Sequence, residues 1–297
     1  KGHIIAEEDI PVLLDMGKEQ IYVWESAPGT VHEEEGAAAL CALVQGSNLS
    51  PGPVSEGKIE LFASIDGLLK IDSERLAALN GIDGLMAATL RGNRAVRKGD
   101  KAAAVKIIPL FIEQEKLDRA RRLCGDEPVI RILPYLLKKA GLVVTGNEIA
   151  RGRIPNAAPD LIRRKLEPFA AECAAAVTLE DKPEEITARI LSMIQDGLDL
   201  ILCTGGMSVD PDDRTPLGIK NTGARIVSYG VPLLPGAMTL LAYYPQGGRR
   251  IPILGLPACV LYEKITALDF LLPRIMAEDP ISRQDLALLG EGGLGPR

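Results

Sequence analysis

The sequence predicts an α/β protein: a C-terminal domain on a mainly parallel sheet, preceded by a small β-rich domain. Three observations lead there. From Lys139 onward, short apolar runs alternate with helical patterns, the βαβ rhythm that calls for a parallel sheet. Between Lys58 and Leu110 the texture is instead a series of short strand-like runs punctuated by turn signals. And 297 residues is long for a single core. The expected division is 1–50, a mixed α/β segment; 51–112, a small β-barrel or sandwich-like domain; 113–138, a helical linker; and 139–297, the α/β domain.

In the first segment Ile10–Gly17 reads as a short helix closed by glycine, and Gln20–Trp24 as a strand. Glu33–Val44 places acids first and then Ala37, Leu40, Cys41 and Val44 at helical spacing. His32 precedes that acidic start and reads as a surface or capping residue. Ser47–Gly57, dense in Ser, Asn, Pro and Gly, reads as a linker. Strands are expected at Lys58–Ala63, Ile65–Ile71, Met86–Leu90, Ala95–Val96 and Ala102–Leu110, with tight turns at Asp66-Gly67 and Lys98-Gly99-Asp100. Arg91, Arg94, Arg97, Lys98 and Lys101 gather near one turn and read as a solvated hairpin. Glu113–Cys124 is a charged helix, broken by Gly125-Asp126-Glu127-Pro128.

In the C-terminal domain Gly141–Val144 is the first strand. A helix follows with Ile162, Leu166, Phe169 and Cys173 on one face, which Pro168 must kink or end early. Ala174–Val177 is the second strand. Pro183 suits the first position of a helix bearing Ile186, Ile190, Met193 and Ile194, stopped by Gly197. Leu198–Cys203 is the third strand. Thr215-Pro216 reads as a cap and first turn of a helix ending near Gly223. Arg225–Tyr229 and Ile251–Leu254 are further strands, and Val260–Met276 a last helix.

Composition narrows the function. Hydrophobic residues make up 46% and charged ones 25%, an ordinary soluble globular balance. A net charge of −6 argues against a nucleic-acid partner held through phosphates, and 4% aromatics argue against a base-stacking platform. No apolar run reaches bilayer length and no signal peptide is visible, so no membrane is expected. The start Lys1-Gly2-His3 lacks a methionine, as in a fragment. Five widely spaced cysteines without a Cys-x-x-Cys pair fit reduced thiols in a cytoplasmic protein. The two histidines, His3 and His32, leave the C-terminal half without a Ser-His-Asp triad or a histidine zinc site.

Chemistry is therefore sought at the carboxyl ends of the parallel strands, where ligands of open α/β sheets bind. Loops 145–159, 178–182, 204–215 and 255–259 leave on that side and converge. In the third, Thr204-Gly205-Gly206 can present backbone N–H groups to an anion. Asp210, Asp212 and Asp213 can hold Mg²⁺, a hard cation that accompanies phosphates. A carboxylate can instead accept two hydrogen bonds from a heterocycle edge, or these aspartates can be turn and helix-start chemistry. Glu148, Glu180 and Asp181 stand at neighbouring loop mouths.

These residues carry a resemblance. Thr145-Gly146-Asn147-Glu148, Gly152-Arg153-Ile154-Pro155-Asn156, Glu180-Asp181, Thr204-Gly205-Gly206…Asp213-Arg214-Thr215-Pro216 and Gly255-Leu256-Pro257 resemble motifs of the molybdopterin-binding domain. That domain is shared by gephyrin/MoeA-like molybdotransferases, MogA-like adenylyltransferases and CinA-like proteins, and the resemblance spans about Leu142–Met276. It implies a three-layer α/β/α sandwich with molybdopterin and Mg²⁺ as cofactors. It implies Thr145, Gly146, Glu148, Asn156, Glu180, Thr204, Gly205, Gly206, Ser208, Asp213, Pro235, Gly236, Gly255 and Pro257 as pterin-binding residues. Asp213 and Asp181 would be catalytic, and Asp210, Asp212 and Asp213 would hold the metal. The chain departs from the family where Leu234-Pro235-Gly236-Ala237 replaces Lys-Pro-Gly-Lys and where Ala258-Cys259-Val260 replaces Gly-Asn-Pro. Two point charges for phosphate or molybdate are thus absent.

The resulting expectation is a cytoplasmic protein that binds molybdopterin, or its adenylylated or molybdenum-loaded form, in cofactor biosynthesis or handling, with Mg-dependent transfer chemistry if it is an enzyme. The alternatives are a non-catalytic sensor or carrier that contacts a molybdoenzyme or another biosynthesis protein, and a CinA-like nucleotide pyrophosphatase. A homo-oligomer is expected by analogy.

Overall fold

The structure is a computed structural model in which residues 5–20, 27–208 and 214–294 are described. The strand expected at Gln20–Trp24 lies largely outside them. The chain divides into two compact units, Lys1–Leu133 and Pro134–Arg297.

In the first unit, α1 (Ile10–Asp15) is followed by β1 (Thr30–His32) and α2 (Glu33–Val44). His32 caps α2, its Nδ1 accepting from the Glu34 amide at 3.3 Å. Next come β2 (Leu49–Pro51), β3 (Lys58–Ala63), β4 (Gly67–Ile71), α3 (Ser73–Asn80), β5 (Leu85–Thr89), β6 (Arg94–Val96) and β7 (Lys101–Ile107). The unit ends with β8 (Phe111–Glu113), α4 (Gln114–Cys124) and β9 (Ile130–Pro134). The strands form a four-stranded sheet β2-β3-β7-β5, a three-stranded sheet β6-β4-β9 and the pair β1-β8.

Two elements here escape the sequence pattern. The 47–57 stretch contains β2, paired antiparallel to β3, and α3 starts where Asp72 accepts from the Arg75 amide at 2.9 Å. One hydrophobic core takes Leu40 and Val44 from α2, Leu79 from α3, Leu117 from α4 and Leu61 and Val105 from the sheet. Residues 33–50, 51–112 and 113–132 thus share a core instead of forming a segment, a domain and a linker. The reason is that α4 is amphipathic, burying Leu117, Ala120 and Cys124.

In the second unit β10 (Lys139–Thr145) leads through α5 (Asn147–Ala150) and α6 (Ala158–Leu166) to β11 (Glu172–Leu179), α7 (Pro183–Gln195) and β12 (Leu200–Thr204). Then follow α8 (Thr215–Asn221), β13 (Arg225–Tyr229), β14 (Leu240–Gln246), β15 (Arg249–Leu256), α9 (Ala267–Met276) and α10 (Arg283–Leu288). The six-stranded sheet has the order β11-β10-β12-β15-β14-β13. Its first four strands are parallel, and β14 runs antiparallel to both its neighbours.

The three-layer sandwich follows from the central strands being apolar on both sides, as parallel strands covered by helices must be. Leu142, Leu202 and Leu254 pack with Ile162 of α6 and Leu268 and Leu272 of α9. Val143, Ile201 and Ile253 pack on the other face with Ile186 and Ile190 of α7 and Ile219 of α8. Each such buried aliphatic side chain contributes about 1.5–3 kcal/mol.

Local chemistry sets the boundaries. Pro183 opens α7 with Glu184 and Glu185 in its first turn, and Gly197 at φ 84° follows it. Ala170 at φ 50° turns the chain after Phe169, so Cys173 lies on β11 and not on the preceding helix. The helix expected at Val260–Met276 is also shorter than its periodicity suggests. A 3₁₀ turn at Ala258–Leu261 is separate, and α9 restarts after Thr266, whose amide donates to Asp269 Oδ2 at 2.8 Å. β14, not anticipated, is a hairpin partner of β15 through Gly247 and Gly248, both at positive φ as a tight hairpin turn requires.

Candidate functional site

The parallel register brings the ends of the strands level: Thr145 pairs with Leu179, Val144 with Thr204, and Thr204 with Leu256. The loops after β10, β11, β12 and β15 therefore leave the same sheet edge, as expected. The β13–β14 loop joins them, because Leu240 at the start of β14 pairs with Gly255 near the end of β15.

Thr145 and the two glycines after β12 form the centre. Gly205 adopts φ 94°, and a Cβ there would fall 2.1 Å from the Thr145 carbonyl oxygen. Gly206 adopts φ 52°, and its Cβ would lie 3.1 Å from both Asp181 Oδ1 and Thr215 Oγ1. Only glycine fits both positions, for backbone conformation and for space. The hydroxyls of Thr145 and Thr215, both buried, are 2.8 Å apart, and the Thr215 amide donates to Gly206 O at 3.3 Å. Thr215 was expected to cap α8; its hydroxyl serves the Thr145 contact instead, and Arg214 takes the cap position.

Asp181 ties the second loop to the first, with Oδ2 accepting from the Asn147 amide at 3.2 Å. Glu180 is bound elsewhere. Its Oε1 accepts from Arg151 Nε and Nη2 at 3.2 and 3.1 Å, and its Oε2 lies 3.2 Å from Lys182 Nζ. The Lys182 hydrogen bond, followed by the Arg151 one, holds this carboxyl below its ordinary range. Asn156 bridges outward: its amide donates to Thr178 Oγ1 at 3.1 Å and its carbonyl accepts from the Ala158 amide at the start of α6. Gly146, at φ 137°, begins the first loop, and Glu148 stands exposed on α5.

Thr204 Oγ1 is buried at the strand end and makes no hydrogen bond among the described residues. Ser208 is exposed. Pro235 and Gly236 are engaged by α9, with Ala267 N donating to Pro235 O at 3.0 Å and the Gly236 Cβ position 2.7 Å from Ala267 N. Gly255 is packed under the Met207 side chain, and Pro257 precedes the 3₁₀ turn. The missing lysines leave exposed Leu234 at the rim of this edge.

Asp210, Asp212 and Asp213 lie outside the described residues. Among the described residues no group of three or more His, Cys, Asp or Glu could hold a metal ion, so the expected Mg²⁺ set rests on those three aspartates. The cysteines are free thiols; burial pushes Cys203 up to about 12. Among the described residues no helix is long and apolar enough to cross a membrane.

Three contributors were missed from sequence. Arg151 neutralises Glu180, Met207 seats the third loop, and the Tyr229 hydroxyl donates to Met207 O at 2.9 Å with Ser208 O at 3.3 Å. Tyr229 left no signal, reading only as a strand residue; Arg151 and Met207 adjoin motifs but depend on contacts distant in sequence.

Residues 141–277 match the family described as "Probable molybdopterin binding domain", and residues 1–25 match one described as a domain of unknown function. A molybdopterin molybdenumtransferase of Synechococcus elongatus is 27% identical over 161 residues, covering 52% of this chain and 38% of that protein. A CinA-like protein of Mycobacterium avium is 35% identical over 77 residues, covering 26% of this chain and 18% of that protein. The chain thus spans well under half the length of these relatives. Among solved structures, the molybdopterin biosynthesis enzyme MoaB of Thermus thermophilus is 22% identical with a TM-score of 0.38, covering 52% of this chain and 98% of that one.

Proposed function

We propose that residues 141–277, which match the family described as "Probable molybdopterin binding domain", bind molybdopterin at the carboxyl edge of their sheet, in the biosynthesis or handling of the molybdenum cofactor. The observation that carries this reading is the closure of Gly205-Gly206 onto Thr145 and Asp181. It leaves a side-chain-free stretch of backbone beside a buried Thr204 hydroxyl that has no hydrogen-bond partner among the described residues, suited to an anionic, hydrogen-bonding ligand.

In this reading Thr204 and the Gly205–Gly206 amides bind the ligand, and the Thr145–Thr215 hydroxyl pair fixes the loop that presents them. Asp181 orients the Asn147 turn. Asp210, Asp212 and Asp213 would hold Mg²⁺, which would neutralise phosphate charge during transfer at the pterin's phosphate or dithiolene end. The bound form would be molybdopterin or its adenylylated or molybdenum-loaded derivative, in a cytoplasmic homo-oligomer.

A second reading is a carrier or sensor that passes the cofactor to a molybdoenzyme or another biosynthesis protein. It is favoured by Leu234 and Ala237, which supply no charge at the rim, and by Glu180, already neutralised by Arg151 and Lys182. Calorimetry with molybdopterin and Mg²⁺ tests the shared premise: Asp213→Ala should abolish binding and leave the fold intact, and unchanged affinity overturns the site. Supplying molybdopterin, MgATP and molybdate separates the readings, because product beyond one equivalent per protein rules out a passive carrier.

A further inference from the structure

One row of directly paired residues crosses the sheet near its carboxyl edge: Val143, Cys203, Gly255, Leu240 and Tyr229. Val143, Cys203 and Leu240 belong to the core on the α7–α8 face, so the row faces that side. Gly255 interrupts it. With no side chain at 255 the row has a notch, and Met207 fills it: a Cβ on Gly255 would lie 2.4 Å from Met207 Cε. Met207 is buried there with the same core.

The row ends at Tyr229 on the outer strand β13. Its hydroxyl reaches back to the loop after β12, donating to Met207 O at 2.9 Å with Ser208 O at 3.3 Å. Three strand spacings, about 14 Å, separate β12 from β13. The loop therefore leaves Gly206 sideways across the end of β15, is seated by the Met207 side chain and is held at its backbone by Tyr229. Its other end is held independently, through Thr215 on Gly206 O and Thr145. Ser208 is the last described residue before Val209–Asp213.

We infer that Tyr229 is a positioning residue for the ligand-binding loop, its hydroxyl holding the Met207–Ser208 backbone over the Gly255 notch. The consequence for binding rests on the pterin reading above; the hold on the loop does not. Tyr229 touches no ligand in this assignment. It works by keeping the loop in the conformation that binds, so that the ligand need not order it.

The test compares the full chain with Tyr229→Phe, which keeps the ring and removes the donor. Hydrogen exchange of the 206–208 amides should accelerate while exchange in β10 and β12 stays unchanged. The Kd for molybdopterin should rise by about 2- to 12-fold, the ratio equivalent to one net hydrogen bond, with the thermal midpoint close to that of the parent. A purely structural role would lower the midpoint and leave loop and core exchange in proportion. Replacing Tyr229 by 3-fluorotyrosine, a stronger donor while protonated, should slow loop exchange, and this arm needs no Phe variant to fold. Loop exchange unaffected by the fluorinated residue, or by Phe in a folded variant, overturns the assignment. If the parent binds no molybdopterin but loop exchange responds as expected, the pterin reading falls and the role of Tyr229 stands.

Discussion

The hydroxyls of Thr145 and Thr215 meet at 2.8 Å although the two residues are 70 apart in sequence, and both are buried. The contact joins the end of β10 to the first turn of α8, beneath the glycines of the third loop. Each hydroxyl is the other's partner, so removing one strands the other.

Thr145→Val or Thr215→Val should each destabilise the chain by about 1–3 kcal/mol, the cost of a buried polar group left unpaired. The double variant should lose less than the sum of the two. Urea denaturation of the four proteins measures this as a coupling energy. Strict additivity would mean that the two hydroxyls do not depend on one another.

Gly205 and Gly223 separate strain from collision. Both have positive φ, 94° and 81°, but a Cβ on Gly223 meets nothing within 4 Å, whereas on Gly205 it falls 2.1 Å from Thr145 O. Gly223→Ala should cost about 1–2 kcal/mol, the left-handed penalty alone. Gly205→Ala must in addition push β12's exit off β10. It should be the more destabilising of the two and should weaken ligand binding, which Gly223→Ala leaves intact. Equal losses of stability would contradict the close approach.

At the opposite sheet edge Asp199 Oδ2 accepts from the Lys138 and Lys139 amides at 3.0 and 3.1 Å, and Oδ1 from Arg249 at 3.1 Å. Burial raises its pKa, but the Lys138 amide, Arg249 and the Lys139 amide outweigh that, and the net position is below the ordinary carboxylate range. A carboxyl whose pKa is lower folded than unfolded contributes stability in full above the unfolded value, about 4. That contribution is lost as pH falls through the lower, folded value. Asp199→Asn should therefore be less stable than the parent at pH 7, with the gap narrowing below about pH 4. Denaturation midpoints across that range give the comparison, and a gap independent of pH would remove the ionised clamp.

Leu234 and Ala237 offer a gain-of-charge experiment. Leu234→Lys with Ala237→Lys restores the cations of the Lys-Pro-Gly-Lys pattern at the sheet edge that carries the site. Affinity for an anionic pterin should rise and should become more sensitive to salt, as added surface charge does. Titrations at low and high ionic strength read the change; identical salt slopes would place that loop away from the ligand.

The alternation of strands and helices after Lys139 was legible because each element satisfies its own local rule: Pro183 and Gly197 bound α7, and Leu200–Thr204 is apolar throughout its first four residues. The motif glycines were legible because Gly205 and Gly206 need positive φ. Less visible were elements defined by a distant partner. β14 exists as the hairpin neighbour of β15. Cys173 follows the helical spacing of Ile162 and Leu166, yet the turn at Ala170 puts it on a strand.

The sequence alone determined which edge of the C-terminal sheet carries the motif loops, since the order of strand, loop and helix along the chain places each of them after a strand's carboxyl end. Only the tertiary structure decided what those loop residues do. It turned Thr215 from a helix cap into the partner of Thr145, bound Glu180 to Arg151 and Lys182, and brought Tyr229 to Met207. Periodicity and turn propensity are short-range and can be read along a chain. A hydroxyl or carboxylate takes its role from whichever polar group packing places within about 3 Å, and that group is set by the register of strands far apart in sequence.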